Sequence, residues 1–135
     1  MPENLKSDIV KIGLVQTKVS PDVEENLDKA AGYVQKASEK GAAIVCLQEL
    51  FATQYFAQKE DKKSFGLAET IPGRLARFLS KTAKDNKITL LGGSIFEKTD
   101  DNRYYNTSLI FDPEGNPSAK YRKIHIPYDP KYYEQ

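Results

Sequence analysis

A carboxylate at the end of an apolar run is a group placed for chemistry. Glu49 is such a residue, since Ile44-Val45-Cys46-Leu47 leads through Gln48 into Glu49, with Leu50-Phe51 after it. Behind Gly41-Ala42-Ala43, the run reads as a strand buried on both faces of an α/β sheet. Ligands and catalytic groups in such sheets gather at the carboxyl ends of the strands, which makes Glu49 a candidate catalytic residue. The plainer alternative is a strand-end glutamate facing water. A second stretch, Lys120-Tyr121-Arg122-Lys123-Ile124-His125-Ile126-Pro127, sets a basic cluster at the end of another strand and stops it with proline. Alone, such a run is more often a solvated face. His125 is the only histidine, and without a second histidine or a thiol near it a metal site is not expected. It reads as a supporting loop residue. Cys46 lies inside the strand, three residues before Glu49, and is expected to be a structural thiol packed in the core.

These groups need a scaffold, and the chain spells one out. Ile9–Gln16 reads as a first strand. Asp22-Val23-Glu24-Glu25 fits a capping box, with Asp22 on the free N–H groups and Glu25 reaching back. In the helix that follows, Leu27, Ala30, Ala31, Val34 and Ala37 form an apolar stripe, and Lys40-Gly41 stops it. Residues 51–67 read as a loop, polar and aromatic, with a solvated charge run at Lys59–Lys63. Pro72-Gly73 opens a second amphipathic helix carrying Leu75, Phe78, Leu79 and Ala83. Lys87–Glu97 is a third strand whose Gly92-Gly93 lacks phosphate-loop spacing, so a bulge or a close backbone approach is expected there. Tyr104–Phe111 and Ser118–Lys123 are strands joined by the hairpin turn Asp112-Pro113-Glu114-Gly115-Asn116. The order β-α-β-α-β-β-β describes an α/β domain with a mixed sheet flanked by helices.

Composition narrows the function. With 135 residues the chain has the length of one domain. Twenty Lys+Arg against nineteen Asp+Glu leave a charge of +1 with no basic block, so nucleic acid is not an expected partner. One cysteine makes no internal disulfide, and no apolar run is long enough to cross a bilayer. A soluble cytoplasmic protein is expected, with no membrane partner. Tyr104, Tyr105, Tyr121, Tyr128, Tyr132 and Tyr133 crowd the C-terminal third, which suits a cleft or a subunit interface, or half-buried strand positions for the first three.

Taken together, the two stretches resemble the carbon–nitrogen hydrolase (nitrilase) superfamily. Its first motif is an apolar strand ending in Glu, then an apolar residue and Phe, matched by Gln48-Glu49-Leu50-Phe51. Its second is Tyr-Arg-Lys before His and Pro, matched by Tyr121-Arg122-Lys123-Ile124-His125-Ile126-Pro127. The likeness covers Ile9 to Gln135. Within the superfamily it is greatest to N-carbamoylputrescine amidases, with β-ureidopropionases next, through the loop Ile126-Pro127-Tyr128-Asp129-Pro130-Lys131-Tyr132-Tyr133-Glu134. The resemblance implies Glu49 as general base, Lys123 as catalytic lysine and Glu134 as a supporting glutamate. It also implies a nitrilase-like four-layer α-β-β-α sandwich, no cofactor, and a small carbamoyl amine or amide as substrate.

The family's cysteine nucleophile would lie beyond Glu134, and Cys46 is not in its place. Residues 1–135 are therefore expected to be the N-terminal part of one hydrolase domain, inactive alone, and either paired with the missing half or homo-oligomeric. The rival expectation is a non-catalytic α/β assembly domain that uses its tyrosines and exposed sheet to hold a partner chain.

Overall fold

Asp22 starts the first helix as its sequence position requires. In the computed structural model, which describes residues 9–56 and 62–126, its carboxylate accepts the N–H groups of Glu24 (2.9 Å) and Glu25 (3.2 Å). The expected return bond from Glu25 is replaced: the Asp22 N–H donates to Ser20 Oγ, and Glu25 pairs with Lys29 one turn on. Helix α1 runs Val23–Glu39 and ends at Lys40, with Gly41 in the left-handed region at φ +86°. Helix α2, Arg74–Asn86, begins at Gly73, which brings no capping side chain. Glu69 supplies the acceptor from outside, taking the Leu75 N–H at 3.1 Å.

The six strands are β1 (Ile12–Val15), β2 (Ile44–Leu47), β3 (Thr89–Leu91), β4 (Ile95–Lys98), β5 (Tyr104–Phe111) and β6 (Pro117–Arg122). β1, β2 and β3 are parallel neighbours, each joined to the next by a connection that carries a helix, as parallel pairing requires. β5 runs antiparallel to β3, β4 and β6, so the sheet is mixed. The turn between β5 and β6 is closed by Asp112, whose Oδ1 accepts the N–H groups of Glu114 and Asn116. Residues 62–67, expected as loop, form a short 3-10 helix.

Both helices contact each other and one face of the sheet, where Val45, Leu47, Leu90, Leu109 and Phe111 meet Leu27, Val34, Leu75, Leu79 and Ala83 in a single core. On the opposite face the rings of Phe56 and Phe65 pack on Phe96 and Tyr104 at the β4 end, while the described residues leave the surface of β1 and β2 largely open. Ile12 and Leu14 are 59% and 80% exposed, and Ile44, Cys46, Leu91 and Ile110 are half-buried. This corrects the reading of β2 as buried on both faces. An unbroken apolar run does not say how many layers cover it; here the helices cover Val45 and Leu47 alone. Of the expected four-layer sandwich, the described residues form one helical layer and one sheet.

The third strand is broken where its glycines fall. At Gly93 (φ +59°) a Cβ atom would lie 1.9 Å from the carbonyl oxygen of Gln48, so the backbone of the β3–β4 connection presses directly on the residue preceding Glu49. This is the close approach that the glycine pair suggested. Both contacting groups are main chain, and no side chain can swing aside. Gly93→Ala is accordingly expected to destabilise the protein by roughly 3 kcal/mol or more, from a strained positive φ and an unrelieved clash. A urea midpoint within experimental scatter of wild type would show that the two segments do not meet as described.

Candidate active site

Glu49 sits in a turn, not in β2 itself, and the turn is held at each of its corners. Gln48 continues the β1–β2 pairing with its side chain: Oε1 accepts the Thr17 N–H, and Nε2 donates to Thr17 O at 2.8 Å. Leu50 takes a left-handed conformation (φ 49°), and its N–H donates to Ser94 Oγ at 2.9 Å. The buried Asn26 donates to the carbonyls of Ser20 and Ala52, tying the entry to α1 to the far end of the turn. Phe51 and Ala52 are buried in the core, with the Phe51 ring against Phe78. The backbone carrying Glu49 is thus fixed by apolar anchors and by polar groups that have their partners.

Lys123 follows β6 directly, and its N–H extends the ladder by donating to Asn106 O at 2.9 Å. Strand alternation then divides the basic run between two faces. Lys120 and Arg122 point to the helix side, where both pair with buried Glu97. Tyr121 and Lys123 point to the open side. There the Lys123 ammonium lies 3.2 Å from Glu49 Oε1. The sequence-derived pair is therefore brought together, across 74 residues of chain. Glu134 lies outside the described residues. His125 is exposed in the segment after β6.

The two groups border a shallow cleft of about 270 Å³, whose wall also includes Cys46, Ser94, Asn106, Ser108 and Tyr121. Glu49 is 55% and Lys123 31% exposed, so water screens the ion pair and it contributes little to stability. Cys46 needs a correction. Its side chain is half-buried on the open face and lines this cleft, with its thiol donating to Leu47 O at 3.4 Å, instead of packing in the core. The cause is again the alternation of β2, which sends Val45 and Leu47 inward and Cys46 outward.

Two residues that sequence reasoning passed over bear on the site, Asn106 within it and Glu97 behind it on the helix side of the sheet. Asn106 Nδ2 donates to Glu49 Oε1 at 2.7 Å. Glu97, 3% exposed, accepts from Lys120 Nζ (2.7 Å), from Arg122 Nη2 (2.8 Å) and Nε (2.9 Å), and from Thr107 Oγ1 (2.5 Å). Burial pushes its carboxyl pKa up, but the hydrogen bonds from Arg122, Lys120 and Thr107 outweigh that and bring it down to about 2. The signal for Glu97 was present in the alternation of Lys120 and Arg122, two cations on one sheet face that call for a carboxylate. Asn106 had no comparable signal. Chemically, the open side offers a proton acceptor, a cation and an amide donor within hydrogen-bonding reach of one another. That is a set suited to moving a proton and stabilising a nearby negative charge.

Comparison with known proteins agrees with this geometry. The carbon-nitrogen hydrolase family profile matches residues 11–135. Omega-amidase NIT2-B of Xenopus laevis is 42% identical over 120 residues, which is 86% of this chain and 40% of that protein. The human omega-amidase NIT2 is 39% identical over 116 residues, with the same coverage. Among solved structures, a carbon-nitrogen hydrolase from Helicobacter pylori G27 superposes with a TM-score of 0.83 at 31% identity, covering 93% of this chain and 42% of its own. Nit3 of Saccharomyces cerevisiae, a nitrilase-superfamily member, gives 0.75 at 32% identity, over 87% of this chain and 45% of its own. The chain spans about 40% of the length of these curated relatives. Their names are those of omega-amidases, not of the N-carbamoylputrescine amidases to which the sequence motifs pointed. Matched along nearly its whole length by the family profile, and folded as the family's solved members are, the chain belongs to the carbon-nitrogen hydrolase family of the nitrilase superfamily.

Proposed function

We propose that this chain carries the base and the lysine of a small-molecule amidase, and that a cysteine outside the stretch described here supplies the nucleophile. The observation that carries the reading is the Lys123 ammonium 3.2 Å from Glu49 Oε1 at the open face of the sheet. In the proposed cycle Glu49 takes the thiol proton, and the thiolate adds to the amide carbonyl carbon. Lys123 faces the oxygen that becomes negative. The carbon–nitrogen bond then breaks, with the proton passing from Glu49 to the departing nitrogen, so that ammonia leaves and a thioester remains. Water, deprotonated by Glu49, hydrolyses the thioester and restores the thiol. Glu134 is proposed to support this pair, as the sequence motif implies. The apolar side chains on the open face, Ile12 and Leu14 among them, are proposed to pack against the remainder of the domain.

Two substrate classes fit the reading. The names of the relatives favour an ω-amide, while the Ile126–Glu134 loop motif favours an N-carbamoyl amine. They differ in products. Hydrolysis of an ω-amide yields the carboxylate and ammonia without carbon dioxide, whereas an N-carbamoyl amine yields the free amine with ammonia and carbon dioxide. Native protein carrying this sequence, sized by intact mass, should be assayed on both classes. Ammonia release from one or both is expected, and the carbon dioxide measurement assigns the class. Absence of turnover on both, from protein whose nucleophilic cysteine is still alkylated by a thiol reagent, would overturn the amidase reading. It would leave the alternative of an assembly domain.

A further inference from the structure

Glu49 has two carboxylate oxygens, and they are treated differently. Oε1 accepts both the Asn106 amide at 2.7 Å and the Lys123 ammonium at 3.2 Å. Among the described residues, Oε2 receives no hydrogen bond. The orientation of the Asn106 amide follows from this contact, because its oxygen at the same distance from a carboxylate would be repelled. Asn106 also holds the cation by its main chain, since its carbonyl accepts the Lys123 N–H at 2.9 Å. One residue thus references both the acid and the base of the pair to a single point. That point is rigid: Asn106 stands on β5 opposite Phe96 of β4, with Thr107 beside it paired to strands on both sides. Glu49, by contrast, stands in a turn.

We infer that Asn106 is a positioning residue for the Glu49 base: by committing Oε1 to two donors it leaves Oε2 as the oxygen that accepts the proton. The inference deepens the amidase reading and rests on it for its kinetic meaning. A carboxylate free to rotate would present either oxygen, and the ammonium would follow it. Anchored by a short hydrogen bond from a strand, the carboxylate keeps one lone-pair direction on offer, and reacting groups gain most from this kind of preorganisation.

The experiment has a kinetic arm and a chemical arm. Asn106→Leu keeps the approximate volume and removes the donor, and Asn106→Ala removes both. In native protein that turns over amide, each should lower kcat about 10- to 100-fold with KM within about twofold of wild type. In a Glu49→Gln background, Asn106→Leu should change kcat by less than about twofold, because a residue that acts through Glu49 has nothing left to act on. The chemical arm needs no turnover. A carbodiimide should couple Lys123 to Glu49 directly, and the linked peptide, measured by mass spectrometry, should fall at least about fivefold in Asn106→Leu while the melting temperature stays near wild type. Unchanged kcat and unchanged linkage in the Asn106 variants would overturn the inference. So would a loss that simply multiplies with that of Glu49→Gln, which would place the action of Asn106 elsewhere. If wild type turns over no amide at all, the amidase reading fails by itself, and the linkage yield still decides whether Asn106 holds Glu49.

Discussion

Glu49→Gln is expected to lower amide turnover by about two to four orders of magnitude while substrate still binds. Glutamine keeps an acceptor oxygen where Asn106 and Lys123 now donate, so the turn held by Gln48, Leu50 and Ser94 should be undisturbed. What disappears is the capacity to take a proton from the nucleophile and later from water. Lys123→Ala should cost a comparable factor for a different reason, since a donor aimed at developing charge in a closed site is worth roughly 3–4 kcal/mol. Single-turnover measurements distinguish the two. Loss of the base should slow both acylation and deacylation, whereas loss of the cation should fall on whichever step builds negative charge on oxygen. Cys46→Ala belongs in the same experiment because Cys46 lines the cleft. Its rate is expected to stay within a few-fold of wild type. If it abolishes turnover and Glu49→Gln does not, the assignment of roles is wrong.

The parts of this protein that were legible in the sequence are those governed by short-range rules. Asp22 caps α1 because a carboxylate before a helical stripe finds free N–H groups, and Asp112–Asn116 turns because Asp and Gly suit that geometry. Glu49 stands out because it follows an apolar run and Lys123 because its stretch resembles the family's second motif, and the sheet order brings the two side chains together. What escaped depends on which face a residue takes and on what covers that face. Cys46 was misplaced because an apolar run without alternation gives no face assignment, and the described residues cover only one side of β2. Asn106 was missed because a strand asparagine becomes meaningful only when its cross-chain neighbour is known, and that neighbour lies 57 residues away. Glu97 enters the sequence analysis only as the last residue of the expected third strand, although its side chain is 3% exposed.

Glu97 carries the other large effect. Its carboxylate ties β4 to β6 through Lys120 and Arg122, and Arg122 immediately precedes Lys123. Because its folded-state pKa is about 2, below the ordinary 4.5, the ionised form is favoured by folding. The resulting stability is complete above about pH 4.5 and is lost as the pH falls through 4.5 toward 2. At 1.36 kcal/mol per pKa unit, it amounts to something on the order of 3 kcal/mol. Glu97→Gln should therefore lower stability at pH 7 by about that much, moderated because Lys120 and Arg122 are each 39% exposed and can recover some hydration. Urea unfolding at pH 7 and near pH 2.5 checks it: the gap between wild type and variant should shrink sharply at the lower pH, where the wild-type carboxyl begins to take up its proton. A gap of equal size at both values would mean that Glu97 stabilises the fold by packing and not by charge. If the gap closes as expected, the carbodiimide linkage of Lys123 to Glu49 in the Glu97 variant should also fall, because the strand that delivers the lysine has lost the tie that holds its end.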